Sequence, residues 1–414
     1  MGALRSMSKS SYEAKDWHRR ILLKPTGFTT RRSKVGRVPT SNPIWSNRPA
    51  HRFFDLVLCT ETQATTSLIH LKHKGNSMTH LRPPLHRFTS LTRNFIAVAM
   101  AVGSSLALHA ADLRLLSSFN STQKPTHAVL ERYLANVKTI GAGSVRITVA
   151  GPEVVPIFEQ LQPVSSGTFD MLYTHPVFHA GNGALALTVD AMAVDPAARR
   201  SSGVWDAVDA FYQKKHKLKL VAMMSVSNEG YHLFTKQPLS PAGDLAGRKI
   251  RGTPTYFGVI EALGAQPVVL PGSEIYSALQ TGVIDGAGWP AAGMVSMRHY
   301  EVAKYRLRPT FGAATQPVFV NLDRWNKLDA KVKEVLLEAG RKTELEMPAL
   351  GDAIQKEEDA ELDRRGVQIV QMSPATATKV RKAFIDSIWK LGADCCKDEA
   401  VALRAMAVKA GLTQ

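Results

Sequence analysis

Short apolar strands alternate with helical stretches from Asp112 onward, and this alternation constrains the fold more than any other feature. Three strands and two intervening helices are predicted, at 112–119, 126–139, 145–149, 157–166 and 169–173. Such an order with short connections predicts an α/β domain whose sheet is largely parallel. Ligands of these sheets bind beyond the carboxyl ends of the strands, where Phe119, Glu153 and Tyr173 fall. These three residues are therefore candidates for a ligand site.

The positive charge of the chain is concentrated before the predicted domain. The 414 residues carry 52 Lys/Arg and 35 Asp/Glu, a formal net charge of +17. Residues 1–111 hold 17 of the basic and only 4 of the acidic side chains, which leaves 35 basic and 31 acidic residues for 112–414. A nucleic-acid-binding protein needs a basic face on its folded body. The near-neutral body argues against nucleic acid as a partner.

The segment 78–111 has the pattern of a signal peptide. Arg87 and Arg93 form a positive region, residues 95–107 are apolar, and 108–111 end in small residues suited to cleavage. We therefore expect export, with residues 1–77 as a basic extension that lacks helical or strand periodicity. A start site assigned too far upstream, a disordered basic extension and an organelle transit peptide are three explanations of that extension, and the sequence leaves them open.

The sequence contains no pattern typical of a catalytic or metal centre. Gly-x-Ser-x-Gly, a Walker loop, Cys-x-x-Cys and His-Glu-x-x-His are all missing. We predict no enzyme activity, no catalytic residue, no resident metal and no cofactor. Cys59 lies in the basic extension, and Cys395 and Cys396 are adjacent. Either a vicinal disulfide or two small buried thiols would suit that pair.

The stretch from Asp244 to Pro290 has the character of a ligand-binding segment. Residues 249–251 are predicted to form a short strand that ends at Arg251, beside a loop. A guanidinium at that place offers parallel N–H donors in the geometry that a carboxylate accepts. Residues 283–284 are predicted to be a buried strand that delivers Trp289 to the same layer of loops.

The same stretch resembles the solute-binding proteins of tripartite ATP-independent periplasmic (TRAP) transporters, DctP type. The resemblance is carried by three motifs in a fixed order: Asp-Leu-Ala-Gly-Arg-Lys-Ile-Arg at 244–251, Leu-Gly-Ala-Gln-Pro at 263–267, and Ser-Glu-Ile-Tyr-Ser-Ala-Leu-Gln-Thr-Gly-Val-Ile-Asp-Gly at 273–286. It extends from about Asp112 to the C-terminus.

The resemblance implies a two-lobed α/β periplasmic binding protein, type II-like, with a cleft between the lobes. One lobe is expected to comprise 112–227 and about 316–350, and the other 228–315 and about 351–414. A long helix beginning near Asp329 is expected to brace both lobes. Arg251 matches the family's carboxylate clamp, and Trp289 matches a position that contacts ligand. Tyr231 stands about twenty residues before Arg251, where some relatives have a second arginine, which favours a ligand with one main carboxylate.

The implied function is periplasmic capture of an organic acid and its delivery to the membrane permease. A C4-dicarboxylate, a 2-oxo or hydroxy acid and an aromatic acid all suit one arginine and one tryptophan. Some family members hold a cation with the ligand, and a carboxylate such as Glu153 could help hold one here. A monomer is expected, with a dimer as the alternative. A receptor that serves a signalling partner and a secreted enzyme on the same scaffold are the competing hypotheses.

Overall fold

The computed structural model describes residues 110–414, which contain two β-sheets surrounded by helices. The basic extension, nearly all of the expected signal peptide and Cys59 lie outside the described residues. Within the described part, no helix combines the length and the apolar character needed to cross a lipid bilayer.

The first sheet has five strands in the order β2-β1-β3-β10-β4. Their bounds are Ala111–Ser117 (β1), Val145–Ala150 (β2), Met171–Tyr173 (β3), Leu218–Ser225 (β4) and Thr315–Asn321 (β10). β1 pairs in parallel with both β2 and β3, whereas β10 runs antiparallel to β3 and β4. The parallel arrangement predicted for the first three strands is therefore confirmed.

Six helices and several short 3-10 segments belong to the same part of the molecule as this sheet. The helices are Lys124–Gly141 (α1), Leu161–Ser165 (α2), Pro196–Ser201 (α3), Val204–His216 (α4), Leu322–Lys327 (α7) and Ala330–Arg364 (α8). The longer 3-10 segments are Pro176–Asn182 and Leu185–Ala191. In α1, which covers the helix predicted at 126–139, Val129, Tyr133 and Val137 form a buried face with helical spacing.

The second sheet has six strands in the order β11-β9-β5-β8-β6-β7. Their bounds are Tyr231–Thr235 (β5), Lys249–Arg251 (β6), Gln266–Val268 (β7), Gly286–Pro290 (β8), Tyr305–Arg308 (β9) and Gln368–Gln371 (β11). Two helices, Pro254–Ala262 (α5) and Ile275–Gln280 (α6), connect β6 to β7 and β7 to β8. β6 pairs in parallel with β7 and β8, so the carboxyl ends of β6 and β8 point to the same edge.

Two extended connections carry the chain between the sheets, one after β4 and one after β9, and α8 makes a third crossing on the way from β10 to β11. The two extended connections run side by side and share backbone hydrogen bonds. The amide of Val226 donates to the oxygen of Ala314 at 2.9 Å, and Tyr231 and Phe311 exchange bonds of 2.8 and 2.9 Å. Because the connections are joined to each other, a change in the angle between the lobes has to act on both.

The long helix α8 contacts both parts of the molecule, which confirms the brace expected from the resemblance. On the side of the first sheet, the buried Glu344 carboxylate accepts from the amide of Met223 at 2.7 Å and from the guanidinium of Arg200 at 2.7 and 3.0 Å. Farther along α8, Glu358 accepts from the amide of Gly293, after β8, at 2.7 Å. One rigid element is thus hydrogen-bonded to both lobes.

The last two helices are Pro374–Cys395 (α9) and Lys397–Lys409 (α10), and a disulfide joins Cys395 to Cys396 between them. α9 packs on α5 and on the segment Leu185–Ala191, and α10 packs on α4. The lobe bounds given above stay a prediction. These contacts nevertheless argue against placing 397–409 in the second lobe, because α4 belongs to the first.

The close approach of α8 to the chain after β4 requires glycine at 351. A Cβ atom built there would lie 1.8 Å from the carbonyl oxygen of Val226. Gly351→Ala should therefore lower the free energy of unfolding by roughly 1–3 kcal/mol, the usual effect of overpacking, measured by urea denaturation. Gly181→Ala is the matched control, because a Cβ there meets nothing within 4 Å. Equal stability of the two variants would contradict this packing.

Candidate functional site

A cavity of about 380 Å³ lies between the two sheets, near the connections that join them. Residues of both lobes line it. The main side chains from the first lobe are Phe119, Phe158, His175, Phe178 and Gln316. Those from the second are Tyr231, Arg251, Thr255, Tyr256 and Trp289. Four of the six residues predicted from the sequence thus line one cavity, namely Phe119, Tyr231, Arg251 and Trp289.

Arg251 is buried, with 5% of its surface exposed, and no carboxylate of the described residues forms an ion pair with it. Its Nε donates to the carbonyl oxygen of Leu270 at 3.0 Å and its Nη1 to that of Gly288 at 3.1 Å. These bonds use two of the five N–H donors of a guanidinium. The remaining donors, including both on Nη2, have no partner in the described structure. Burial lowers the pKa of Arg251, an effect that Tyr256 partly offsets.

Trp289 lies on strand β8, opposite His232 of β5, and not in a loop. The predicted strand at 283–284 is wrong, because Val283 is 53% exposed and the strand begins only at Gly286. The indole ring stands beside the guanidinium of Arg251, with the Cζ atom 5.7 Å from the ring centroid. The indole therefore forms a wall of the cavity that a ligand held by Arg251 would contact.

Tyr231 brings its ring to the cavity while its hydroxyl is engaged elsewhere. The hydroxyl donates to Oδ2 of Asp190 at 2.6 Å, and Nε2 of His175 lies 2.9 Å from the same oxygen. The amide of Val177 donates to Nδ1 of His175 at 3.3 Å. Oδ1 of Asp190 accepts from the amide of Thr315. The buried Asp190 thus links strands of both sheets, and its charge is satisfied by these donors.

Phe119 lines the cavity, whereas Tyr173 and Glu153 do not. Tyr173 is fully buried, donates to the oxygen of Thr126 at 2.5 Å and meets Phe119 edge-on at 5.5 Å, so it supports the wall from behind. Glu153 is exposed, and its carboxylate accepts from the amide of Gly151 at 2.9 Å. Placement of these two residues in the cleft is therefore contradicted.

A cation beside the ligand does not fit the residues present. The side chains that line the cavity include no aspartate and no glutamate, and Arg251 is the one lysine or arginine among them. Within residues 110–414 no group of acidic, histidine or cysteine side chains is placed to hold a metal ion. Hard cations prefer oxygen ligands with negative charge, so this lining favours an anion without an accompanying metal.

Two polar side chains of the lining are buried without a partner. The amide oxygen of Gln316, on β10, and the hydroxyl of Thr255, on α5, make no hydrogen bond in the described structure. The two residues are 2% and 1% exposed. Buried polar groups are nearly always hydrogen-bonded. Neither residue is a candidate from the sequence alone; the one available signal is the polar Gln316 directly before the apolar run 317–320.

Two neutral histidines lie behind the walls of the cavity. His299 stacks on Phe234 at 5.0 Å and meets Trp289 edge-on at 5.3 Å. Burial, and secondarily the charge of Arg251, lowers the pKa of His299 to about 3. His179 contacts the hydroxyl of Tyr212 at 2.9 Å, and burial lowers its pKa to about 3 as well.

Comparison with known proteins gives one family and a shared fold. The model of the bacterial extracellular solute-binding proteins, family 7 (DctP), matches residues 188–392. A solute-binding protein of Sulfitobacter sp. (strain NAS-14.1) is 33% identical over 146 residues, 35% of this chain and 41% of that protein. The C4-dicarboxylate-binding periplasmic protein DctP of Rhodobacter capsulatus is 32% identical over 128 residues, 30% of this chain and 38% of its own. The matched stretches thus span less than half of these two relatives.

A solved structure has the same fold over nearly its whole length. It is the TRAP periplasmic solute binding protein of Desulfovibrio salexigens with bound orotic acid, and it superposes with a TM-score of 0.63 at 21% identity. The superposition covers 72% of this chain and 98% of that one. The two-lobed α/β fold expected from the sequence is thereby confirmed.

The buried histidines predict loss of stability in acid. Their folded pKa values lie below the unfolded value of about 6.5, so the unfolded state binds more protons as pH falls below that value. Each histidine then removes about 1.4 kcal/mol of stability per pH unit, from roughly pH 6 down to its folded pKa near 3. His299→Phe keeps the stack on Phe234 and removes the proton site. Urea denaturation at several pH values should show a shallower decline for His299→Phe than for the wild type; identical slopes would contradict the assignment.

Proposed function

Because this chain belongs to the DctP family of bacterial extracellular solute-binding proteins, we propose that it captures an organic acid in the cavity between its lobes. The carboxylate of the ligand binds the free N–H donors of Arg251. The bound form then delivers the ligand to the membrane permease of a TRAP transporter. The proposal places the protein in the periplasm and gives it a transport function.

The observation that supports the proposal most strongly is a buried guanidinium without a counter-ion. Arg251 is 5% exposed, and carbonyl oxygens of Leu270 and Gly288 are its hydrogen-bond acceptors in the described structure. Neutral carbonyls orient the charge but do not neutralise it. A buried charge that lacks an opposite charge is costly by several kcal/mol. A ligand carboxylate would remove that cost and complete the hydrogen bonding.

The start of helix α5 adds to the attraction for an anion. α5 begins at Pro254, three residues after Arg251, and both Thr253 and Thr255 line the cavity. The first amides of a helix lack intrahelical acceptors, and the helix dipole places positive charge at that end. A carboxylate held by Arg251 would therefore lie in the positive electrostatic potential of both the guanidinium and the N-terminus of α5. This contribution is smaller than that of the guanidinium, at about 0.3–1 kcal/mol.

Closure of the cleft follows from the distribution of the lining over both lobes. Arg251 and Trp289 belong to the second sheet, whereas Phe119 and Gln316 come from the first lobe. A ligand that contacts both sets has more contacts when the lobes are close together. Only such differential affinity shifts an open–closed equilibrium. The paired connections between the sheets are the hinge, and α8 is the element that limits the motion.

Replacement of Arg251 tests the proposal. Arg251→Gln should abolish the rise in melting temperature that small carboxylates cause in the wild-type chain, because no other lysine or arginine lines the cavity. A ligand at a hundred times its dissociation constant adds about 2.7 kcal/mol of stability. Thermal-shift measurements with a panel of mono- and dicarboxylates would detect this.

Arg248→Gln is the matched control, because Arg248 is half-exposed and donates to the oxygen of Gln237 away from the cavity. It should retain the full shift. We also expect Arg251→Gln without ligand to be at least as stable as the wild type, since it removes a buried unpaired charge. A carboxylate shift that survives in Arg251→Gln would overturn the proposal.

A further inference from the structure

The charge of the lining limits the ligand to one anionic group. This inference rests on the proposed function. Arg251 is the one charged side chain of fixed sign among the lining residues, and Nε2 of His175 is already engaged by the carboxylate of Asp190 at 2.9 Å. A second carboxylate on the ligand would enter a closed cavity without a positive partner. An ionised group left unpaired in such a place is costly. The lining therefore disfavours dicarboxylates.

Aromatic side chains of both lobes shape the rest of the cavity. On the side of the first lobe, Phe178 stands between Phe119 and Phe158, with ring centroids 5.9 and 5.6 Å away. Trp289 and Tyr256 line the opposite side. Phe158 is 49% exposed although it lines the cavity, so its ring is available to a ligand. A planar aromatic body would be buried against aromatic faces from both lobes, which short aliphatic acids cannot match in contact area.

Gln316 supplies a second polar contact, and it does so from the first lobe. Gln316 is 2% exposed, and its amide oxygen is buried without a hydrogen-bond partner. Exchange of the oxygen and nitrogen ends of the amide would leave a buried donor without a partner instead. A ligand hydroxyl satisfies either arrangement, because a hydroxyl both donates and accepts.

Thr255 fits the other end of the ligand. It belongs to the first turn of α5, four residues after Arg251, and its hydroxyl is also buried without a partner. A hydroxyl beside the guanidinium can donate to the carboxylate. Thr255 and Arg251 would then hold the anionic end from the second lobe, while Gln316 holds the polar substituent from the first.

We propose that the ligand is a hydroxylated aromatic monocarboxylate, bound by Arg251 at its carboxylate and by Gln316 at its hydroxyl group. The two polar contacts come from different lobes, so they form together only when the cleft is closed. A satisfied hydrogen bond to a buried amide adds about 1–1.5 kcal/mol, which corresponds to roughly tenfold in affinity. Gln316 is thus a specificity-determining residue, and Arg251 provides the affinity common to all carboxylates.

Calorimetric titration of the full chain with defined probes tests this assignment. The probes are the three positional isomers of hydroxybenzoate, benzoate, cyclohexanecarboxylate, terephthalate and succinate. At least one hydroxybenzoate should bind about tenfold more tightly than benzoate. Cyclohexanecarboxylate should bind at least roughly threefold more weakly than benzoate, because it lacks an aromatic face. Terephthalate and succinate should bind at least about tenfold more weakly than benzoate, because one carboxylate stays unpaired.

Gln316→Met identifies the contact to the hydroxyl group. The variant should bind the preferred hydroxybenzoate about tenfold more weakly and benzoate within about twofold of the wild type. Gln368→Met is the matched control, because Gln368 is exposed on β11 and outside the cavity. It should leave every dissociation constant unchanged.

Several outcomes would overturn the inference while the proposed function stands. Succinate that binds as tightly as the hydroxybenzoates, with loss of binding in Arg251→Gln, would show a carboxylate receptor without aromatic selectivity. Equal affinity for benzoate and all hydroxybenzoates in the wild type would remove Gln316 from specificity, whether or not Gln316→Met folds. Gln316→Met that weakens the binding of every probe by the same factor would also show that Gln316 does not determine specificity. Absence of binding by any carboxylate would instead refute the proposed function itself.

Discussion

The placement of one positive charge governs the organisation of the site. The guanidinium of Arg251 is fixed by the oxygens of Leu270 and Gly288, so the loop after β7 and the strand β8 are both tied to it. No side-chain carboxylate lines the surrounding cavity. A protein selected for stability alone would pair or replace such a charge. The cost is understandable when the missing partner is the ligand, because binding then supplies the compensation.

The links between the two lobes depend on a few acidic side chains with defined hydrogen-bond partners. Asp190 joins His175, Tyr231 and the amide of Thr315 where the two connections meet, and thereby fixes the origin of β5 relative to β10. Helix α8 adds a second link through Glu344 and Glu358, one to each lobe. Glu344 is buried and Glu358 is half-buried, and loss of solvation raises the pKa of each carboxyl. Acidic side chains thus tie both the connections and α8 to the two lobes.

The sequence was informative where local pattern decides structure. The first α/β units and the strand that ends at Arg251 could be predicted, since each depends on the periodicity or order of neighbouring residues. The brace helix was expected from the family resemblance. Trp289 was misplaced because Gly286-Ala-Gly288 has the composition of a loop. The structure gives another reason for Gly288: a Cβ there would lie 2.4 Å from the ring of Tyr256. The glycine admits an aromatic ring against a strand.

The remaining site residues could not be found from local pattern. Position at the end of a strand does not fix the direction of a side chain, so Tyr173 turned out to lie behind the wall and Glu153 outside the cavity. Gln316 and Thr255 are 61 residues apart in sequence and on different lobes. Only the tertiary fold brings them to one cavity, and their lack of hydrogen-bond partners is visible only after every neighbour has been placed.

A ligand carboxylate is expected to complete the hydrogen bonding of Arg251. A crystal structure of the protein with bound benzoate tests this expectation most directly. We expect a carboxylate oxygen within about 2.7–2.9 Å of Nη2 of Arg251, with the bonds to Leu270 and Gly288 retained and the aromatic ring between Trp289 and the phenylalanines of the first lobe. A benzoate carboxylate bound elsewhere in the cavity, with Nη2 of Arg251 still without an anionic partner, would contradict it.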